Sequence, residues 1–403
     1  MQIISMGFTA ALGAFVAAQV LLAAYLAFLT FSALITRPRK TDVTLRTRRF
    51  AILVPAHNEA AVIERLLMNL ALLDYPVGSF DVCVVADNCD DATATIARAH
   101  RARVYERFDD SERAKGFALR WLLQQLQAED RAYDAFVVVD ADSVLAANFL
   151  RCMNTRLEGG AQAIQAYYSV LNPEHSSVAG LRYAALAAVH YVRPLGRARF
   201  GLSAGLKGNG MCFTASILER FAWRWFTLAE DVEFQLALVA QGIRVEFAPE
   251  TWVKADMPVT FDQAASQNDR WERGRLELAR QQVPRLVWDG LRRRSWLQVD
   301  AAFEQAIPPM SVPFALAGLA IPVALLLGAG WLAVAAALCL GVYVVHLVAA
   351  LALVRAPAGI YLALGMAPMY IVWKLGLYAR ALVGERNTSW VRTRRTPTGV
   401  TPS

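Results

Sequence analysis

The stretch Phe136–Asp142, FVVVDAD, sets four apolar, mostly β-branched residues directly before two carboxylates. Such a run reads as a strand buried on both faces, with the acids marking its carboxyl end. Working outward, the same pattern recurs at Phe50–Ala56, Phe80–Asp87 and Arg103–Phe108. Each run is followed by a stretch of helical periodicity: Glu59–Leu73, Asp91–His100, Glu112–Leu126 and Asn148–Leu157. Alternating strand and helix predicts an α/β fold with a mostly parallel, doubly wound sheet. Ligands of such sheets bind beyond the carboxyl ends of the strands. Polar groups stand at those ends: His57-Asn58-Glu59, Asp87-Asn88 and Asp140-Ala141-Asp142.

The candidate functional residues follow from that placement. Extended alternation brings Asp140 and Asp142 to one site, where two carboxylates suit a hard divalent cation bridging phosphates. Asp87 stands where a base or ribose would be held; a turn residue in the polar run Asp87–Asp91 is the other reading. Lys115-Gly116 opens an apolar helix and offers a cation to phosphate, although a solvated lysine fits equally. Glu230-Asp231 begins a helical pattern, where an acid either complements the helix dipole or serves as a general base. Gly208-Asn209-Gly210 allows close backbone approach to a ligand, or simply a tight turn. In Gln267-Asn268-Asp269-Arg270-Trp271 a guanidinium suited to diphosphate lies beside an indole suited to a sugar face.

The composition places this domain at a membrane. The 403 residues are 56% hydrophobic and 19% charged, with a mean hydropathy of +0.33. Residues 1–36 carry no charged side chain, enough to cross a bilayer, which takes about 20 apolar residues. A cleaved signal peptide would want basic residues before the apolar stretch, whereas here Arg37 comes after it. An anchor with its N-terminus outside is the expectation. Residues 305–354 are likewise uncharged, enough for two spans joined near Gly328-Ala329-Gly330, and a third apolar segment runs from Ala356 to Trp373. Between domain and spans, residues 283–299 (VPRLVWDGLRRRSWLQV) mix tryptophan, leucine and arginine as an interfacial helix does. The expected divisions are an anchor at 1–36, a cytoplasmic domain at 45–280 and an interface region at 281–302. Spans or re-entrant helices at 303–383 and a basic tail at 384–403 complete them. Three C-terminal spans would put Arg392, Arg394 and Arg395 outside, against the charge rule, so one segment is expected to be re-entrant or interfacial.

The net charge of +7 does not signal nucleic acid, because the basic clusters flank apolar runs (Arg46, Arg48 and Arg49; Arg292, Arg293 and Arg294). The five cysteines and five histidines show no zinc-like spacing, so free thiols are expected.

Taken in order, VPAHNE, VVADNCDDAT, AKG, DAD, GNGMCF, LAEDVEF and QxxRW resemble the family 2 glycosyltransferases of GT-A fold. The likeness is to the membrane-bound branch of cellulose, hyaluronan and poly-N-acetylglucosamine synthases and ceramide glucosyltransferase. The resemblance covers roughly residues 50–280. It implies that Pro55, His57, Asn58 and Glu59 line a nucleotide pocket, that Asp87 contacts uridine, and that Lys115 lies near it. Asp140 would serve the nucleotide-sugar and Asp142 the metal, Mg²⁺ or Mn²⁺. Asp231 would be the base of an inverting displacement. Gly208, Asn209, Gly210, Glu230, Gln267, Arg270 and Trp271 would form the diphosphate and acceptor region. Three departures stand out: Ala86 and Ala229 replace acid and threonine of the usual patterns, and Asp269 directly precedes Arg270.

The resemblance therefore implies β-transfer from a UDP-sugar on the cytoplasmic side of a bacterial plasma membrane. Its last signature favours a growing polysaccharide as acceptor. A lipid acceptor is the alternative, since the apolar segments are few for a translocation channel. A scaffold that merely binds nucleotide is the non-enzymatic reading, against which the intact acids at 87, 140, 142 and 231 speak.

Overall fold

A computed structural model describes residues 2–37, 46–129, 131–227 and 229–383; the side chains of residues 2–5, 262, 266, 267, 269–271 and 380–383 lie outside that description. Eight strands build the sheet: β1 Phe50–Ala56, β2 Phe80–Asp87, β3 Arg103–Arg107, β4 Ala135–Val138, β5 Ser143–Leu145, β6 Ala163–Val170, β7 Met211–Thr214 and β8 Val245–Ala255. Every residue of β1, β4 and β6 is buried, as expected of strands covered on both faces.

The strand order is β3-β2-β1-β4-β7-β6-β8-β5. The expected parallel half is present: β1 pairs parallel with β2 and β4, and β2 with β3. The other half corrects the doubly wound expectation, because the sheet is mixed. β7 runs antiparallel to β4 and β6, and β5 runs antiparallel to β8. The two strands responsible, β5 and β7, are three and four residues long. Runs so short leave too little alternation to be read.

A second correction concerns the acids themselves. β4 stops at Val138, and Asp140–Asp142 form a turn closed by Ser143 N–H donating to the Asp140 carbonyl at 3.1 Å. The carboxylates are thus gathered by a turn rather than by strand alternation. The neighbouring loop turns back at Gly208 (φ 75°) and Gly210 (φ 68°). Any Cβ at Gly210 would lie 2.4 Å from the Val253 Cγ1, so the turn leading into β7 needs glycine here.

Three apolar helices pack side by side: Gln2–Ile35, Ser311–Leu326 and Gly330–Leu353. Val16 meets Ala320, Ala324 and Ala336 far from the sheet, whereas Ala33, Ala350 and Leu351 join the main core. Gln2–Ile35 and Gly330–Leu353 thus reach the main core, while Ser311–Leu326 joins only the smaller apolar clusters. Ser311–Leu326 is bent by 68° from the preceding helix Trp296–Ala306. Phe261–Arg292 is one 32-residue helix that runs straight through the division expected at residue 280. The last apolar segment, Ala358–Ala379, meets the domain and also packs on Ser311–Leu326. Ile360 enters the main core, and Tyr370 and Trp373 pack on Phe261 at 6.1 and 4.9 Å between ring centroids.

Candidate active site

The ends of β1 and β2 are laced together by polar contacts. His57 Nδ1 donates to the Asp87 carbonyl at 2.7 Å. Asn58 takes a left-handed conformation (φ 56°), and its Oδ1 accepts from Asp90 N–H at 3.0 Å. Glu59 N–H donates to Thr93 Oγ1 at 2.9 Å. Pro55 lies opposite Val85, beyond Leu53, where pairing with β4 ends, so its missing donor interrupts no ladder bond. Asp87 is 1% exposed, and its Oδ1 accepts from Arg107 Nη1 at 2.7 Å. Its Oδ2 is buried with no hydrogen-bond partner among the described residues. Burial holds this carboxyl above its usual range, with Arg107 opposing. A buried orphan acceptor at a strand end suits an N–H donor such as that of a nucleobase.

A few residues away the second half of the site converges. Lys115 Nζ donates to Asp140 Oδ1 and to the Gly208 carbonyl, each at 2.5 Å. Asp140 N–H donates to Asn209 Oδ1 at 3.2 Å, and Asn209 Nδ2 donates to Ser143 Oγ at 2.8 Å, next to Asp142. A Cβ on Gly208 would sit 3.5 Å from Asp231 Oδ2 and 4.0 Å from Lys115 Nζ, so the three groups share one cleft. Gly210 is set back from the cleft against Val253 and Ala166.

Charge and burial compete here, and the balance differs by residue. Burial pushes Glu230 up to about 7, against Lys115 and with help from Asp231. Burial also raises Asp231, while its backbone contact at Val232 and the ammonium groups of Lys115 and Lys207 pull the other way. Lys115 is held above its usual value: burial opposes its charge, but Asp140, Glu230 and Asp231 outweigh it. A carboxylate with raised proton affinity beside a cation is what a general base requires. The Tyr168 phenol is pushed up by burial first, then by Asp142 and Asp140, which brings both acids of the turn to one neighbourhood.

Among the described residues no group of three or more His, Cys, Asp or Glu side chains could hold a metal alone. A hard cation that keeps waters and substrate phosphates needs only one or two carboxylates. Asp140 and Asp142, gathered by a turn beside the cleft, fit that limited role.

The sequence QxxRW lies on the helix Phe261–Arg292, but the side chains of Gln267, Arg270 and Trp271 lie outside the described residues. Their neighbours are informative. Asn268 Oδ1 accepts from Arg182 Nη1 at 2.9 Å and from Lys374 Nζ at 2.8 Å, and Lys374 pairs with Glu272 at 3.0 Å. Lys374, just past the apolar run that ends at Trp373, carries no such signal in the sequence. Arg107 and Lys207 carry none either, since a lone cation in a sequence does not reveal which acid it meets.

A family model described as glycosyltransferase like family 2 matches residues 47–274. A probable glycosyltransferase, YdaM of Bacillus subtilis, is 24% identical over 236 residues, covering 56% of this chain and 55% of the relative. A beta-monoglucosyldiacylglycerol synthase of Trichormus variabilis is 27% identical over 233 residues, covering 56% of this chain and 48% of the relative. The chain thus spans about half the length of the curated relatives it matches. Among solved structures, mannosyltransferase PcManGT of Pyrobaculum calidifontis, in complex with GDP-Man and Mn²⁺, superposes with a TM-score of 0.55 at 19% identity. It covers 94% of this chain and 99% of that one, a shared fold.

Proposed function

The chain belongs to the glycosyltransferase like family 2, enzymes that draw on nucleotide-sugar donors, and from that premise we propose that it transfers one sugar from a UDP-sugar to a hydroxyl of a membrane lipid, with inversion to a β-linkage. The observation that carries this reading is the cleft shared by Lys115, Gly208 and Asp231, with Asp140 and Asp142 at its edge. Asp87 offers its orphan oxygen to the base, and the His57–Glu59 loop walls the nucleotide. The acceptor oxygen attacks the anomeric carbon, its proton passes to Asp231, and the bond to the diphosphate breaks with the electron pair leaving on the phosphate. Lys115 orients the Asp140 carboxylate and holds positive charge where the leaving group gathers its negative charge. Asp140 and Asp142 would hold Mg²⁺ or Mn²⁺ on the diphosphate, which supplies Lewis-acid stabilisation of the leaving group. Gln267, Arg270 and Trp271 are assigned to the diphosphate and acceptor by their sequence pattern alone.

Two observations favour lipid over the glycan that the QxxRW pattern favours by itself. The apolar helix Ala358–Ala379 is tied beside that pattern through Lys374, so the acceptor region adjoins the bilayer directly. The described helices supply three candidate spans, or four counting the bent pair, few for a polymer channel. The beta-monoglucosyldiacylglycerol synthase named among the relatives supports the same choice.

The packing also suggests a topology. Gln2–Ile35, Ser311–Leu326 and Gly330–Leu353 would cross the membrane, with Trp296–Ala306 at the interface. Ala358–Ala379 touches the catalytic domain near both ends, through Ile360 and Lys374. That double attachment favours a place at the interface, and we assign the segment there. The chain that follows, with Arg392, Arg394 and Arg395, then stays on the catalytic, cytoplasmic side, as the charge rule asks.

The test is incubation of the purified full chain in lipid vesicles with a panel of radiolabelled UDP-sugars. Label in the organic extract supports the lipid reading; label in a large water-soluble polymer overturns it.

A further inference from the structure

Two consecutive aromatic residues, Trp225 and Phe226, lie between the helix Ala215–Phe221 and the helix Glu230–Ala240 that carries Asp231. Each ring stacks on a different helix. Phe226 lies on Phe117, with ring centroids 4.2 Å apart and planes 1° from parallel. Phe117 belongs to the first turn of Lys115–Ala128, the helix that Lys115 opens. Trp225 lies on Phe234 at 4.3 Å and 18°. Phe234 is fully buried and follows Asp231 by one turn of its helix. The pair thus joins the start of the helix bearing the cation to the start of the helix bearing the base.

The backbone of the pair is held as closely as its rings. A Cβ on Gly116 would lie 2.2 Å from the Trp225 carbonyl oxygen and 3.4 Å from the Phe226 Cα. Glycine beside Lys115 is what lets this segment rest directly on the helix. The Arg120 guanidinium stands 4.6 Å from the Phe226 ring and 5.3 Å from that of Phe117, a cation–π arrangement on the stack. Arg120 is itself held from the donor side. It donates to Glu112 at 2.6 Å, Glu112 accepts from Arg107 at 3.3 Å, and Arg107 holds Asp87. Contacts therefore run without a gap from the nucleobase end of the cleft to the segment that introduces Asp231. Phe117 and Phe226 are only half-buried, so their stack contributes more to alignment than to the core.

We propose that Trp225 and Phe226 are positioning residues that set the spacing of Lys115 and Asp231, through their stacks on Phe234 and Phe117. This rests on the reading of Asp231 as the base. Neither ring needs to touch substrate. Flat rings in face contact have one separation, which an aliphatic side chain with more rotamers does not reproduce. Shifting a catalytic group by about 1 Å can cost about 10²-fold in rate, so the spacing is worth fixing.

The experiment takes the purified full chain in lipid vesicles with a UDP-sugar it accepts, each variant assayed below its own melting temperature. Phe226→Leu and Phe117→Leu should each lower kcat about tenfold or more, with UDP affinity by calorimetry and the donor KM within about twofold of wild type. Phe226→Tyr, which keeps the flat face, should recover most of the rate. Both leucines remove the same stack, so the double variant should lose little beyond the larger single loss. Should one leucine variant fail to fold, the other, on a separate segment, carries the same expectation. Unchanged kcat in a folded leucine variant overturns the proposal. A loss confined to donor KM also overturns it, because the stack would then serve the donor, and so do losses that multiply in the double variant. Asp231→Asn measured alongside separates the two readings. If it transfers normally, the base assignment itself fails; if it is inactive while the leucine variants are normal, only the positioning role fails.

Discussion

Lys115 Nζ and Asp140 Oδ1 stand 2.5 Å apart, and the same ammonium reaches the Gly208 carbonyl at the same distance. One cation thereby pins the acidic turn, the glycine turn and the start of the helix Lys115–Ala128 around a single cleft.

Lys115→Met should therefore lower kcat/KM for the UDP-sugar by about tenfold or more, since hydrogen bonds to charged groups are worth about 1.5–3 kcal/mol. Steady-state kinetics with varied donor check it. A change within about twofold would show that the contact is incidental.

Glu230 supplies a pH test. Its carboxyl is raised from 4.5 to about 7, chiefly by burial. The folded protein thus binds the proton more tightly than the unfolded chain. The stability this contributes is fully present below pH 4.5 and is lost as pH rises through about 7. Thermal unfolding across that window should show wild type losing stability relative to Glu230→Gln. Parallel curves for the two proteins would contradict the raised carboxyl.

Lys374 and Glu272 make a third. Their side chains are 13% and 8% exposed and 3.0 Å apart. Removing one partner of a buried pair leaves an uncompensated charge and costs about 3–5 kcal/mol, whereas replacing both is much milder. Lys374→Met should lower the melting temperature clearly, and Lys374→Met with Glu272→Met should recover most of the loss. Additive losses would mean that the two side chains do not act together.

Much of this was legible in the sequence, and the reason is periodicity. FAILVPA is buried throughout, FDVCVVAD over its last five residues, and RVYER is mostly half-buried at the sheet edge; each is a strand of the parallel half. Asp87, Lys115, Asp140 and Asp231 were picked out for their positions at element ends. The antiparallel half was not legible, because MCFT and SVL are too short to announce a direction. The pairing of Arg107 with Asp87, and of Lys374 with Glu272, depends on tertiary contacts between distant segments, which local patterns do not encode. The turn at Asp140–Asp142 was mistaken for strand because Val139 extends the apolar run by one residue past the last paired position, Val138.

The central claim is that Asp231 removes the acceptor proton, and the most direct measurement is Asp231→Asn with nucleotide binding and transfer followed separately. Calorimetry should find UDP bound as in wild type, while the transfer rate falls at least about 10²-fold. Transfer within a few-fold of wild type, with binding intact, would contradict the assignment.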